Sequence, residues 1–173
     1  MNTLIITIKD PETLPDGGFR LIYRHWLEAR RGAEMPPASA LSPQSIPKCL
    51  LGDCSLMSIE SGQKRFYMRL VGTRTAQELG LDMTNTWGDD RPNADDVKAA
   101  CQQCVDNRRP VYSDISTAWA GNDFKRAQTL LLPYAGPDGA VKRILAYSQF
   151  CFAHAESELG THFPDGPLSS AAR

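Results

Sequence analysis

Two thiols at C-x-x-C spacing are the residues best suited to chemistry: Cys101 and Cys104, in the run AACQQCVDNRRP over residues 99–110. That spacing serves redox dithiols and supplies half of many zinc sites. A dithiol of the thioredoxin type sits at a helix N-terminus, where the dipole lowers the thiol pKa. Here Asp95 and Asp96 open a helix that runs to Arg108, so the pair falls two turns inside it. Val97, Cys101, Cys104 and Val105 then share one side at i, i+4, i+7 and i+8, while Gln102, Gln103 and Asp106 face outward. A zinc site wants two further ligands, and Cys49-x4-Cys54 is no obvious complement. The pair is read as core packing, with a thiol redox protein as the rival reading. His25, His154 and His162 do not sit with Cys, Asp or Glu at ligand spacing, so no metal site is expected. G-x-S-x-G and a Gly-rich phosphate loop are absent, and GTRTAQELG has the wrong glycine spacing for a dinucleotide turn. The pairs Asp89-Asp90 and Asp95-Asp96 fall in a loop and at a helix start, where capping accounts for them. No catalytic residue is assigned, and a non-enzyme is expected.

The whole chain narrows the classes further. Its 173 residues, 42% hydrophobic and 23% charged, suit one folded domain with extra length at the ends. With 19 basic and 20 acidic residues and a formal net charge of -1, no basic field is available to hold a phosphate backbone. The longest apolar runs, such as Leu130–Leu132, fall far short of the about 20 residues a membrane helix needs. MNTLIITIKDPE at the N-terminus lacks the basic start and long apolar stretch of a secretory signal. Five cysteines, an odd number in mostly apolar surroundings, fit a reducing compartment. A cytoplasmic protein is expected, with neither nucleic acid nor membrane as partner.

The elements that must position these residues follow from periodicity. LIITI, residues 4–8, is β-rich and reads as a short strand or a segment that orders against a partner. Phe19, Ile22, Tyr23, Trp26 and Leu27 recur at helical spacing, which predicts an amphipathic helix over 18–31 that stops at Gly32. Pro36, Pro37, Pro43 and Pro47 make the next stretch an irregular connector. CLLGDCSLMSIE and KRFYMRLVGT read as a hairpin turning at Ser61-Gly62, followed by a short helix that ends at Gly80. After the helix over 95–108 come three strand-like runs, the last two joined by GPDGA, a strong hairpin signal. Residues 153–173 are small and polar and are expected to form a mobile tail. The order predicts an α+β domain with a largely antiparallel five-stranded sheet.

That order resembles a PAS domain. The likeness is carried by RFYMRLVGTRTAQELGLDMTNT (65–86), RAQTLLLPYAGPDGAVKRILAYSQF (126–150) and the front end LIYRHWLEARRGAEMPPASALSPQSIPKCL (21–50). The front end is similar to that of a bacterial stand-alone PAS subfamily formerly catalogued as a domain of unknown function. The resemblance implies a PAS-like domain over 18–152, with short helices on one sheet face, a cap helix at 18–31 and an extension at 1–17. It implies a sensory or protein-interaction module in bacterial signal transduction, with a partner such as a histidine kinase of a two-component system. A ligand-free adaptor or dimerisation module is the alternative. The axial histidine of haem-binding members and the reactive-cysteine motif of flavin-binding ones are absent, so no cofactor is expected, and an unidentified small ligand remains open.

The resemblance also assigns faces. Phe66, Met68 and Leu70 alternate along one strand with Tyr67, Arg69 and Val71. If the first set receives the cap helix, then Tyr67, Arg69 and Val71 point into a ligand pocket, joined by Trp87, Tyr112 and Tyr147. An arginine there would bind a ligand carboxylate or pair with a nearby acid. Phe19, Ile22, Tyr23 and Trp26 form a stripe that one sheet face need not cover entirely, and the surplus is the expected partner or homodimer surface.

Overall fold

Phe19, Ile22, Tyr23 and Trp26 are the residues that helix α1 (Gly18–Arg30) buries, as their i, i+3, i+4, i+7 spacing requires. α1 ends where Arg31 adopts a left-handed conformation, φ 48°, and Gly32 follows at φ 86°. The computed structural model describes residues 3–15, 17–60, 65–92 and 94–152. The turn expected at Ser61-Gly62 and the tail expected at 153–173 lie outside them.

The remaining elements are β1 (Leu4–Thr7), β2 (Cys54–Glu60), β3 (Arg65–Leu70), α2 (Thr73–Leu79), β4 (Thr86–Trp87), α3 (Asp95–Asn107), β5 (Val111–Thr117), β6 (Asn122–Ala135) and β7 (Val141–Phe152). The described strands form one antiparallel sheet in the order β1-β5-β6-β7-β2-β3-β4. This is the PAS-type α+β fold expected, with the sheet widened from five strands to seven. The five expected strands form its middle, and β1 and β4 extend the two edges. LIITI is thus a strand of its own sheet. Thr7 is held to α3 by Gln103 and Asn107, whose amides donate to its hydroxyl at 3.0 and 2.8 Å.

α1 lies across one face of the sheet. Phe19 meets Tyr112 and Tyr147 edge-on at 5.5 and 5.0 Å, and the indole N–H of Trp26 donates to the Pro133 carbonyl at 2.8 Å. Gly18 rests on the Tyr147 hydroxyl so closely that a Cβ there would overlap it. The proline-bearing connector wraps the same face. Arg143 donates to the carbonyls of Ala38 and Leu41, and Met35, Leu41 and Ile46 are buried. The opposite face carries α2 and α3. Asp114 on β5 is buried with Arg126 on β6, their side chains 2.5 Å apart, so neither charge enters the core alone.

Candidate functional site

Register decides which residues line the space beneath α2 and α3. Across β5, β6 and β7, Ser113 pairs with Thr129 and Thr129 with Ser148, while Leu131, Ala146 and Ser55 line up one step along the strands. The residues between them, Tyr112, Leu130, Leu132, Leu145 and Tyr147, point to the α1 face. One face of the central strands is therefore large and packed, and the other is small at Ser55, Ser113, Thr129, Ala146 and Ser148, with the larger Ile115, Leu131 and Phe150 beside them. Small residues cannot fill the gap up to the helices, and a cavity of about 110 Å³ remains there.

Its floor is Ser55, Ser113, Ala127, Thr129, Ala146 and Ser148 together with Ile115, Leu131 and Phe150, and its walls are apolar. Met57, Phe66 and Met68 enter from β2 and β3, Leu79 from α2, Met83 from the loop after α2, and Val97 and Ala100 from α3. The hydroxyls of Thr129 and Ser148 share a 2.9 Å hydrogen bond. Two residues of the lining, Thr75 and Trp119, carry a buried polar atom, Oγ1 and Nε1, with no hydrogen-bond partner among the described residues. Lys98, the one charged side chain of the lining among the described residues, is partly exposed and stands 3.9 Å from Asp95.

The structure inverts the expected faces. Phe66 and Met68 look into the cavity, and Tyr67 and Arg69 look out on the other side. Tyr67 and Trp87 meet at 5.0 Å between ring centres, and Arg65 stacks on Trp87 at 4.2 Å while holding Asp90 at 2.6 Å. With Arg69 and Lys142 they border a shallow hollow near the β3–β4 edge. Arg69 is exposed, 5.8 Å from the Tyr67 ring centre, so it addresses no enclosed ligand. Val71 is buried beyond β3, its N–H donating to the Thr84 hydroxyl. Tyr112 and Tyr147 lie beneath α1. None of the six pocket candidates lines the cavity. The physical reason is that α1 packs over the centre of the sheet, on Tyr112, Pro133 and Tyr147, so the apolar side of β3 turns to α2 and α3 and its Tyr67 and Arg69 side is left at the half-open edge.

The partner stripe is corrected too. Phe19, Ile22, Tyr23 and Trp26 are 0, 0, 6 and 2% exposed, wholly taken up by the chain's own sheet. Cys101 and Cys104 are buried in the core beneath α3, and burial raises the Cys104 thiol well above its ordinary range. A thiol held protonated and out of solvent is a poor nucleophile. Among the described residues no group of three or more His, Cys, Asp or Glu could hold a metal, and no helix is long and apolar enough to cross a membrane.

Sequence reasoning missed the cavity residues Thr75, Trp119, Ser113, Thr129 and Ser148. A signal for the last three was present: along β5, β6 and β7 small hydroxylated residues alternate with Tyr112, Leu130 and Tyr147. Nothing in the pattern marked Thr75 or Trp119, which reach the cavity from a helix and from a turn.

The family model of the PAS domain matches residues 18–148. A search of curated proteins returns no significant match. Among solved structures the chain is similar to an RNA-binding Light-Oxygen-Voltage receptor at 10% identity and a TM-score of 0.46, over 86% of this chain and 38% of that one. The matched segment takes in α1, all three helices and every strand from β2 to most of β7, and on that match the chain belongs to the PAS domain family of sensory and interaction modules.

Proposed function

We propose that this protein is a non-catalytic sensory module of bacterial signal transduction that takes up a small ligand between the central strands and α2 and α3. The observation that carries the reading is the cavity itself. A sheet packed tightly on one face carries a cluster of serine, threonine and alanine on the other, beside Ile115, Leu131 and Phe150, at positions where larger residues would have closed the space. Cores are otherwise filled to crystal-like density, and each void costs stability. Binding to one arrangement of α2 and α3 more tightly than to another would shift the population between them, and a protein partner such as a histidine kinase would read the shift.

Native mass spectrometry of the purified protein, set against its denatured mass, tests this. A non-covalent mass excess that disappears on denaturation is expected. A bare mass that stays bare after incubation with cell extract would remove the ligand reading. The alternative, a ligand-free adaptor or dimerisation module, is favoured by one observation: about 110 Å³ is less than the about 150 Å³ cavity known to take up benzene. The same spectrum counts subunits, and a dimer would have to use residues other than the buried aromatic stripe of α1.

A further inference from the structure

Where α1 ends beside β1 and the start of β5, the chain forms a cleft of about 440 Å³, within the roughly 300–1,000 Å³ usual for ligand sites. It shares no lining residue with the cavity beneath α2 and α3. We infer that this cleft binds a small hydrophilic molecule carrying two oxyanion groups, of which a dicarboxylate is the simplest, between Arg30, Arg109 and Lys9.

Three elements bring those cations to one place. Beyond the last β1–β5 pair, Thr7 with Val111, the Ile8 N–H donates to the Pro110 carbonyl at 2.8 Å. Lys9 and Arg109 are the next residues along the two segments, and both line the cleft. Arg30 comes from the last turn of α1, its guanidinium 5.6 Å from the centre of the Trp26 ring. Burial raises the Tyr23 pKa and Asp10 adds to the rise, while Arg30 and Arg109 both act against it. Guanidiniums from α1 and from the start of β5 thus bear on one phenol of the lining.

Their charge is not answered within the chain. Glu34, the one acid of the lining among the described residues, is held by Arg108 at 3.0 Å. Lys9, Arg30 and Arg109 form no ion pair among the described residues. Asp10 and Arg31 flank the lining with opposite signs, and Asp10 keeps its carboxylate on the Glu12 N–H at 2.9 Å. The carbonyl ends of α1 and α3 each act as about half a negative charge, so they offset about one of the three cations and leave about two. Neighbouring like charges on adjacent segments repel, and an anion between them removes that cost. Guanidinium forks match the two oxygens of a carboxylate. Tyr23 and Trp26 are only 6 and 2% exposed, so the cleft offers a ligand charge rather than apolar surface.

Succinate and its neutral isostere succinamide are the probes, titrated into the full chain at constant ionic strength and followed by NMR of the backbone amides. Succinate is expected to shift Lys9, Gly32, Ala33 and Arg109 saturably, and to bind at least about fivefold more tightly than succinamide. Arg30→Gln and Arg109→Gln should each weaken succinate about twofold to fivefold. Arg24→Gln, which removes an exposed charge of α1 outside the lining, should leave it unchanged. Equal binding of the two probes, no saturable shift at the cleft, or the same loss in Arg24→Gln as in Arg30→Gln would overturn the inference. A blocked Glu-Glu dipeptide that bound more tightly than succinate would overturn the small-molecule assignment in favour of a partner's acidic segment. None of these outcomes bears on the cavity beneath α2 and α3.

Discussion

At the scale of single residues, the same pair of thiols reads oppositely as spacing and as environment. C-x-x-C on its own is compatible with redox chemistry, but a thiol reacts only as its thiolate. Cys104 is fully buried, with its sulfur 3.8 Å from the Leu131 carbonyl, and desolvation followed by the nearby Cys101 holds its pKa up. Cys54, 1% exposed, is pushed up to about 12 by burial first and by the Asp53 charge second. Cys49 is the exposed exception. Brief treatment of the native protein with N-ethylmaleimide at neutral pH should therefore modify Cys49 and spare Cys54, Cys101 and Cys104 until denaturant is added. Peptide mapping of the labelled sites reads the result. Fast native labelling of Cys101 or Cys104 would restore the thiol redox protein that the core position of these residues argues against.

Among the elements, helices were legible in the sequence and faces were not. α1 and α3 announced themselves because each buries one stripe, and a stripe at 3.6-residue spacing can be read without a partner. The β6–β7 hairpin was equally plain from Asp138 and Gly139, which form its turn with Gly139 at φ 77°. Strand β3 shows the limit. Phe66 and Met68 against Tyr67 and Arg69 define two faces, and the apolar one turns to α2 and α3 while the other is left half open, because α1 packs over β5, β6 and β7 rather than over β3. Arg69 stays exposed because only the two residues of β4 lie beyond β3 on that edge. Close backbone approach was likewise invisible. Between β3 and α2, Gly72 passes against the 51–53 turn, where a Cβ would overlap the Gly52 carbonyl oxygen and stand 2.6 Å from that of Cys54. Backbone atoms on both sides leave no side chain to move aside. Gly72→Ala should cost about 2–3 kcal/mol, a fall in Tm of about 5–10 °C for a domain of this size. Because α2 carries Thr75, the same variant should also loosen the cavity. A thermal melt within about 1 °C of the unaltered protein would show that the junction has slack the packing denies.

Over the whole molecule, the two covered faces give a core rich in weak acids held neutral. Burial is the first cause in each case: it raises Cys54 and Cys104, and it raises Tyr134, Tyr147 and Tyr23 above the ordinary tyrosine value of 10.0. In the unfolded chain thiols release their protons near 9.0, and tyrosines near 10.0. Between those values and the raised folded ones, the native state holds protons that the unfolded state has lost. The unfolded state then binds fewer protons, so stability must fall as pH rises. The contribution of each group is fully present below its unfolded pKa and disappears on the way up to its folded one. For a thiol this amounts to about 1.4 kcal/mol between pH 8 and pH 10, and Cys54 and Cys104 together give about twice that, with the tyrosines adding their share above pH 10. Urea unfolding at constant ionic strength should show little change from pH 7 to 8 and a steep loss from pH 9 upward. Cys104→Ala starts from lower stability, since it opens space in the core, but its decline between pH 8 and pH 10 should be shallower by one thiol's share. An identical slope in that variant, or flat stability to pH 10, would mean that these thiols ionise inside the fold. A native thiolate would then have to be reconciled with a core in which the one buried carboxylate among the described residues, Asp114, is paired with Arg126.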